Sequence, residues 1–304
     1  SIPRTVTTIG EALQTAGYNT SAFGKWHLGD RDGYKPNNRG FDYYWGFLSG
    51  GRSYFPNEKN DQPGAYHSIR ENDEHRTFEG YLTDRLGDQA VAFIDRQKDQ
   101  DTPFFMYWSP NAVHTPMEAT EADLARFHGH ERKTLAAMTW ALDRAVGNIV
   151  TKLEAEGMLE NTLIFFLSDN GGAHNNQSDN HPLKGFKGNE YEGGHRVPFF
   201  AFWPQGLEAG TFDGLTSSLD IFATACAVGG ITDYQDQFQT DGVNLIPYLT
   251  GAKTGDPHDQ LFWRKDKMAA ARRGDLKMLR VEGLGYRLYD LSKDLGESDD
   301  LRAE

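Results

Sequence analysis

Residues Leu163–Pro198 read LIFFLSDNGGAHNNQSDNHPLKGFKGNEYEGGHRVP, and this segment decides the fold. Its first five residues, Leu163–Leu167, have the length and aromatic content of a buried strand. Asp169 and Asn170 follow after Ser168 and precede two glycines. A carboxylate and an amide at a strand end suit a hard cation that takes oxygen ligands. The same four residues also favour a tight turn, so both interpretations stay open on this segment alone.

The second half of the segment contains two lysines in a glycine-rich stretch, Lys184 and Lys187, followed by Glu192-Gly193-Gly194. An apolar run, Val197–Trp203, then predicts another strand. Ammonium groups near a cation site can hold a doubly charged oxyanion. The segment therefore predicts an anion-binding site at the end of a strand.

Length, composition and charge set limits on the fold and on the partners. The 304 residues are 38% hydrophobic and 12% aromatic, which supplies a core for one large α/β domain with or without a small appendage. A formal charge of −13 argues against a nucleic-acid or anionic-membrane partner. No apolar run is long enough for a membrane span. The single cysteine, Cys226, is interpreted as a packing residue and tells nothing of the compartment.

Helices and strands alternate before the key segment, which predicts a mixed, mainly parallel sheet sandwiched by helices. Apolar spacing and a possible capping box at Thr8 predict helices around residues 8–16, 82–94 and 135–153. The strands predicted by apolar runs are Tyr18–Phe23, Phe104–Trp108 and Leu163–Leu167. The intervening stretch Asp30–Arg76 is too long for an ordinary connection and predicts an irregular functional loop.

The pattern changes towards the C-terminus. A helix is predicted at Leu219–Val228, and four short strand-like runs then alternate with turn residues, which predicts a small antiparallel sheet. These runs are Leu261–Arg264, Met268–Arg272, Leu276–Val281 and Tyr286–Leu291. The predicted domains are an α/β domain at residues 1–245 and a C-terminal subdomain at 246–304.

Chemically active side chains follow three predicted strands: Lys25 and His27, His114, and Asp169 with Asn170. Ligands of open α/β sheets bind outside the carboxyl ends of the strands, so we expect these groups, with Lys187, to converge in one cleft. Taken singly, each has a structural explanation as a solvated lysine, a packed histidine or a turn residue.

The chain resembles the type I, formylglycine-dependent sulfatases of the alkaline phosphatase superfamily. The similarity rests on ordered blocks that extend along nearly the whole chain. These blocks are Gly24-Lys25-Trp26-His27-Leu28-Gly29, Arg39-Gly40-Phe41-Asp42, Val113-His114-Thr115-Pro116, Asp169-Asn170-Gly171, Leu183–Gly188, Glu192–Pro198 and Leu288-Tyr289-Asp290-Leu291.

The resemblance implies a role for each matching residue. Asp169 and Asn170 fall on calcium ligands, and Lys187 falls on the lysine that grips the sulfate. Lys25 matches the lysine that stabilises the nucleophile. His27 matches the histidine that helps expel sulfate from the covalent intermediate, and His114 matches the one that protonates the leaving alcohol. Metal and lysines would neutralise the transferring group, and histidine can exchange protons near neutral pH.

The resemblance also has a gap. The family's nucleophile, a Cys or Ser converted to formylglycine, has no counterpart in this chain, nor do two further acidic metal ligands. Ser1-Ile2-Pro3-Arg4 lacks the family's spacing. We therefore expect formylglycine in a missing N-terminal segment, an incomplete calcium site, and little or no turnover by the chain as written. The family also implies a periplasmic or extracellular location.

Alternative functions remain open at this point. One is a phosphodiesterase or phosphonate monoester hydrolase of the same superfamily; the other is a non-catalytic remnant that binds sulfated glycans. The leading hypothesis is a sulfuric ester hydrolase acting on a sulfated carbohydrate, with an aryl sulfate as the alternative substrate. Arg52, His174 and Lys184 lie in polar, aromatic stretches expected to rim the pocket, and they are the candidate substrate-binding residues.

Overall fold

The computed structural model describes residues 1–303 as a mixed α/β protein. Its eight α-helices are α1 (Ile9–Thr15), α2 (Leu82–Gln97), α3 (Glu121–Arg126), α4 (Lys133–Ala155), α5 (Glu192–His195), α6 (Asp220–Val228), α7 (Tyr234–Phe238) and α8 (Ile246–Leu249), counted over these described residues. The strands of the same part of the chain are β1 (Asn19–Lys25), β2 (Tyr43–Phe47), β3 (Ile69–Glu71), β4 (Glu74–Arg76), β5 (Phe104–Ser109), β6 (Ile164–Leu167), β7 (Phe199–Phe202), β8 (Leu261–Lys265), β9 (Met268–Arg273), β10 (Leu276–Val281) and β11 (Gly285–Asp290).

The chain divides into two compact units, each formed by two segments. Unit 1 comprises residues 1–160 and 222–241, and unit 2 comprises residues 161–221 and 242–304. The predicted domain boundary at 245/246 stays a prediction. No helix among residues 1–303 is long and apolar enough to cross a bilayer.

Unit 1 is organised by a five-stranded sheet of order β4-β3-β2-β1-β5. Its centre is parallel, because β1 pairs in parallel with both β2 and β5, whereas β3 and β4 are added antiparallel. The carboxyl ends of β2, β1 and β5 therefore lie at the same edge. Both faces of β1 are buried: the Phe23 ring contacts Phe93 of α2, and Ala22 packs with Trp26 and Phe41.

The helix α1 begins as the sequence predicts. The Thr8 hydroxyl accepts a hydrogen bond from the Glu11 amide at 3.1 Å, and the Glu11 carboxylate accepts one from the Thr8 amide at 2.7 Å. This reciprocal capping box satisfies two backbone donors that a helix start leaves without an intrahelical partner. The same turn is tied to the following loop, because Arg39 donates to Glu11 at 3.1 Å.

The prediction of an irregular stretch at Asp30–Arg76 is wrong in part, since it contains β2, β3 and β4. Strand β2 is the aromatic run Tyr43–Phe47, and its last four residues are buried. Strands β3 and β4 have three residues each, too few for a recognisable alternation. Strand β3 pairs with β2, and β4 pairs with β3.

Unit 2 contains two antiparallel sheets. Strand β6 pairs with β7 in a two-stranded ladder that runs from Ile164–Phe202 to Leu167–Phe199. The helix–strand alternation therefore predicted β6 correctly but not the antiparallel direction of its pairing with β7. The second sheet has the order β11-β10-β9-β8 and confirms the predicted C-terminal meander. Its core includes Ala270, Leu279, Tyr289 and Leu291.

Candidate active site

In unit 1, three loops leave the sheet at the edge where β2, β1 and β5 end. The loop after β1 carries His27, the loop after β5 carries His114, and the loop after β2 carries Gly50 and Gly51. Lys25 is the last residue of β1 and pairs with Phe47 in β2. The Ser109 hydroxyl donates to the Lys25 carbonyl at 2.7 Å, which holds the ends of β1 and β5 together.

The imidazole of His27 lies against Gly50. A Cβ built on Gly50 would lie 2.6 Å from Cε1 and 2.7 Å from Nε2 of the His27 ring, closer than any real side chain is found. His27 itself has φ 53°, in the left-handed region that residues other than glycine rarely adopt. Its amide donates to the Leu48 carbonyl at 3.1 Å. Such a conformation persists only where the surroundings hold it, and it is common at functional sites.

The imidazole of His114 lies against the next glycine. A Cβ on Gly51 would be 3.3 Å from its Nδ1. This nitrogen is 2.7 Å from the Thr115 carbonyl oxygen, and a carbonyl only accepts. Nδ1 therefore carries hydrogen, and Nε2 is the nitrogen left to exchange a proton with a ligand. The Tyr54 hydroxyl lies 2.8 Å from the His114 carbonyl and 2.6 Å from that of Asn111, which fixes the backbone of this loop.

The structure thus places His27 and His114 against two consecutive glycines of unit 1. Both rings rest on adjacent glycines, whose Cα atoms are about 3.8 Å apart in any trans peptide. The two histidines come from neighbouring parallel strands, as predicted from their placement at strand ends. The sequence did not point to Gly50 and Gly51, whose contribution is the absence of side chains.

In unit 2, Asp169 and Asn170 follow β6, as predicted. The turn is held by close backbone packing: the Gly171 amide donates to the Gly194 carbonyl at 3.0 Å, and a Cβ on Gly171 would lie 1.8 Å from the Gly193 carbonyl. Only glycine fits at this position. The Lys187 amide donates to the Gly172 carbonyl at 3.0 Å, so the lysine loop is tied to the same turn.

A cavity of about 270 Å³ in unit 2 brings Asn170 and Lys187 together. Its other lining residues are Gly188, Asn189, Glu190, Gly194, His195 and Lys265. Two of the predicted site residues therefore share a cavity with a second lysine and a carboxylate that the sequence did not single out. Asp169 is exposed and is not among the lining residues.

A buried charge cluster made of Glu192, Lys277 and Glu297 lies next to His195, one of the residues that line this cavity. The Lys277 Nζ lies 2.9 Å from Oε1 of Glu192 and 2.9 Å from Oε1 of Glu297. Glu297 also accepts a hydrogen bond from the Glu192 amide at 2.6 Å. Burial opposes ionisation of Glu192, but Lys277 outweighs it and lowers the pKa. In Glu297, which has fewer cationic neighbours, burial prevails and raises the pKa.

His195 connects the charge cluster to the cavity. Its ring stacks on Trp263 with centroids 4.5 Å apart, and its Nε2 lies 3.2 Å from the Glu190 carbonyl and 3.3 Å from the Lys277 Nζ. Nε2 must carry hydrogen to donate to the carbonyl and must lack it to accept from the ammonium, so these two bonds exclude each other. Burial and the Lys277 charge lower the pKa of His195 to about 4.

Comparison with known proteins shows the family to which the chain belongs. The family model described as Sulfatase matches residues 1–231. This chain belongs to the sulfatase family. An uncharacterized sulfatase YdeN of Escherichia coli (strain K12) is 33% identical over 290 residues, which cover 86% of this chain and 50% of the relative. The human N-acetylgalactosamine-6-sulfatase is 32% identical over 289 residues, which cover 91% of this chain and 54% of the relative.

Solved structures of sulfatases share the fold. The crystal structure of Ps i-CgsB in complex with k-i-k-neocarrahexaose superposes with a TM-score of 0.93 at 35% identity, over 99% of this chain and 71% of that one. The PsFucS1 sulfatase from Pseudoalteromonas sp. has a TM-score of 0.81 at 23% identity and supports the fold alone. This sulfatase chain spans about half the length of the curated relatives it matches.

The donors near Asp169 have the right chemistry for calcium but are too few. Carboxylate and amide oxygens are preferred ligands, and calcium takes about six to eight of them. Residues 1–303 contain no group of three or more His, Cys, Asp or Glu side chains placed to hold a metal ion. Asp169 and Asn170 of this sulfatase chain therefore do not form a complete calcium site by themselves.

The three predicted substrate-binding residues have different surroundings. Arg52 has a fully buried side chain that donates to Asp61 at 2.8 Å and to the His67 carbonyl at 2.8 Å. Lys184 donates to the Glu297 carbonyl at 2.8 Å and lies over the Tyr191 ring. His174 is exposed and contacts the Phe186 ring. Substrate binding by these residues stays a prediction, and Arg52 and Lys184 also have structural roles.

Proposed function

We propose that this chain belongs to a sulfuric ester hydrolase that acts on a sulfated carbohydrate. The observation that carries the proposal is the pair of imidazoles, His27 and His114, on the adjacent glycines Gly50 and Gly51. The motif blocks and the family membership support the choice of a sulfate ester over a phosphate ester. An aryl sulfate remains the alternative substrate.

Overall, the reaction adds water to the ester. The bond between sulfur and the ester oxygen breaks, the sulfuryl group ends on the oxygen of water as sulfate, and the released alcohol takes up a proton. His114 is placed to supply it, because Nδ1 is committed to the Thr115 carbonyl and Nε2 is left for the departing oxygen. His27 would assist the departure of sulfate.

Positive charge must offset the charge of the transferring sulfuryl group. Lys25 and Lys187 would supply it, each from the loop or strand end described above. Calcium, held in part by Asp169 and Asn170, would add to this charge, but the described residues leave its coordination incomplete. That Lys25, His27, His114, Asp169, Asn170 and Lys187 all act on the sulfate ester is part of the proposal, and it rests on the sequence motifs.

The names of two relatives support a carbohydrate substrate. One is an N-acetylgalactosamine-6-sulfatase, and another, Ps i-CgsB, was crystallised in complex with k-i-k-neocarrahexaose, an oligosaccharide. We further propose a periplasmic or extracellular location, because large sulfated glycans are encountered outside the cytoplasmic membrane.

Binding to the 304-residue chain tests the proposal without requiring turnover. In calorimetry, N-acetylgalactosamine 6-sulfate should bind at least about tenfold more tightly than N-acetylgalactosamine, since charge-assisted hydrogen bonds to the sulfate are lost in the sugar alone. Lys187→Ala should remove this preference, and Lys267→Ala, an exposed lysine outside the cavity, should retain it. Equal binding of the two sugars would contradict the proposal.

A further inference from the structure

The carboxylate of Glu190, in the cavity of unit 2, interacts with the charges of Lys277 and Lys265 but makes no hydrogen bond with the residues that the structure describes. The residue is only 6% exposed and lines this cavity. Its carboxylate accepts no hydrogen bond and makes no ion pair within residues 1–303, although its backbone carbonyl lies 3.2 Å from His195. Burial raises the pKa of Glu190. A buried polar group without a hydrogen-bond partner is costly, so a ligand that donates a hydrogen bond to it gains that energy on binding.

Two lysines line the same cavity. Lys187 comes from the glycine-rich loop, and Lys265 comes from the end of β8. The Lys265 Nζ lies 3.4 Å from the Gly188 carbonyl, and a Cβ on Gly188 would lie 2.9 Å from that nitrogen. Glycine at 188 thus leaves room for the ammonium group beside Glu190. With two ammonium groups and one carboxylate, the cavity is net positive in a chain of net charge −13.

The side chains of Glu190, Lys187 and Lys265 indicate which class of ligand the cavity can bind. Ammonium groups bind the oxygens of an anion, and a carboxylate accepts from a hydroxyl. A sugar sulfate presents both an anion and hydroxyl groups on one rigid ring. An aryl sulfate presents the anion and an apolar ring, and would leave Glu190 without a donor.

We propose that Glu190 and Lys265 form a sugar-recognition subsite beside Lys187. Glu190 accepts a hydrogen bond from a ring hydroxyl of the sulfated sugar, and Lys265 donates to an oxygen of the same sugar. The subsite rests on the proposed function and makes it specific, because it selects a carbohydrate ester over an aryl ester.

The test measures binding of two sulfate esters, N-acetylgalactosamine 6-sulfate and 4-nitrophenyl sulfate, to the 304-residue chain. Glu190→Ala should weaken binding of the sugar sulfate by about tenfold or more, the usual effect of losing a hydrogen bond to a charged group. It should change binding of the aryl sulfate by less than about twofold, since that ester makes no such bond. Lys187→Ala should weaken binding of both esters.

Lys265→Met provides a second variant, because Lys265 is exposed and its replacement spares the core. Lys265→Met should also weaken binding of the sugar sulfate more than binding of the aryl sulfate. Its matched control is Lys267→Met on the same hairpin, which pairs with Glu282 and does not line the cavity. Melting curves of each variant show whether it is folded.

The outcomes separate the subsite from the proposed function. If the unmodified chain binds neither ester, both proposals fall. If it binds both, and Glu190→Ala or Lys265→Met weakens them equally or not at all, the subsite is refuted and the proposed function stands.

Discussion

The ammonium nitrogen of Lys277 lies 2.9 Å from a carboxylate oxygen of Glu192, although neither side chain is more than 2% exposed. A second carboxylate, Glu297, lies at the same distance from the nitrogen on a fully buried side chain. The charges join the loop that carries Lys187 to strand β10 of the C-terminal sheet. They therefore link the candidate site of unit 2 to its core.

Lys277→Met should destabilise the protein by about 3–5 kcal/mol, because removing one partner leaves buried carboxylates uncompensated. Urea denaturation followed by circular dichroism measures the change. Lys267→Met is the control, since Lys267 and Glu282 form an exposed pair and such pairs contribute little. Equal stability of the two variants would show that the buried cluster contributes nothing.

His195 should make the stability of unit 2 depend on pH. Its pKa is about 4 in the folded protein and 6.5 in the reference state, so protonation favours unfolding. The stabilisation is complete above pH 6.5 and is lost as the pH falls from 6.5 towards 4. The shift corresponds to a free energy on the order of 3 kcal/mol. The groups that face the ring are Lys277, Glu192 and Arg272.

The measurement is urea denaturation at several pH values for the unmodified chain and for His195→Gln. The variant keeps the carboxylates that titrate in both proteins, so only the histidine contribution differs. Its free energy of unfolding should fall less steeply between pH 6.5 and 4.5. Parallel curves would assign the pH dependence to other groups.

Gly50→Ala should displace the His27 ring, because the added Cβ would lie 2.6 Å from Cε1 of the imidazole. Imidazole resonances in two-dimensional NMR should shift for His27, and the melting temperature should fall. Gly147→Ala is the matched change within α4, where nothing lies within 4 Å of the new Cβ. It should raise stability by about 0.5–1 kcal/mol through helix propensity. Unchanged His27 resonances in Gly50→Ala would argue against the packing.

Calcium should bind the 304-residue chain weakly, with a Kd above about 1 mM, because two protein ligands fall well short of the usual coordination. Calorimetry with calcium alone tests this, and Asp169→Asn is the matched variant. Tight binding that Asp169→Asn abolishes would show that other oxygens complete the site around Asp169.

Patterns within a few residues predicted most of the elements. The capping box at Thr8, the apolar spacing of α2 and α4, and the turn residues of the C-terminal meander all act locally and could be recognised. Strands β3 and β4 could not, because three residues carry no periodicity and their pairing depends on β2. The direction of β6 was missed for a similar reason, since an apolar run looks alike in parallel and antiparallel ladders.

The sequence predicted candidate-site residues only where a reactive side chain lies in a recognisable motif. His27, His114, Asn170 and Lys187 belong to motifs; the two histidines follow β1 and β5, and Asn170 and Lys187 line the cavity of unit 2. Gly50 acts by lacking a side chain. The partners Glu192 and Lys277 are 85 residues apart, and nothing in either local sequence points to the other.

The side chain of Arg52 restrains the loop formed by residues 51–67. Its guanidinium bonds to Asp61 and to the His67 carbonyl, and His67 in turn donates to the Gly51 carbonyl at 2.9 Å. These hydrogen bonds close the loop on itself. Because its conformational entropy is lost during folding, none need be lost on association. We therefore expect residues 51–67 to keep this conformation when unit 1 contacts another molecule.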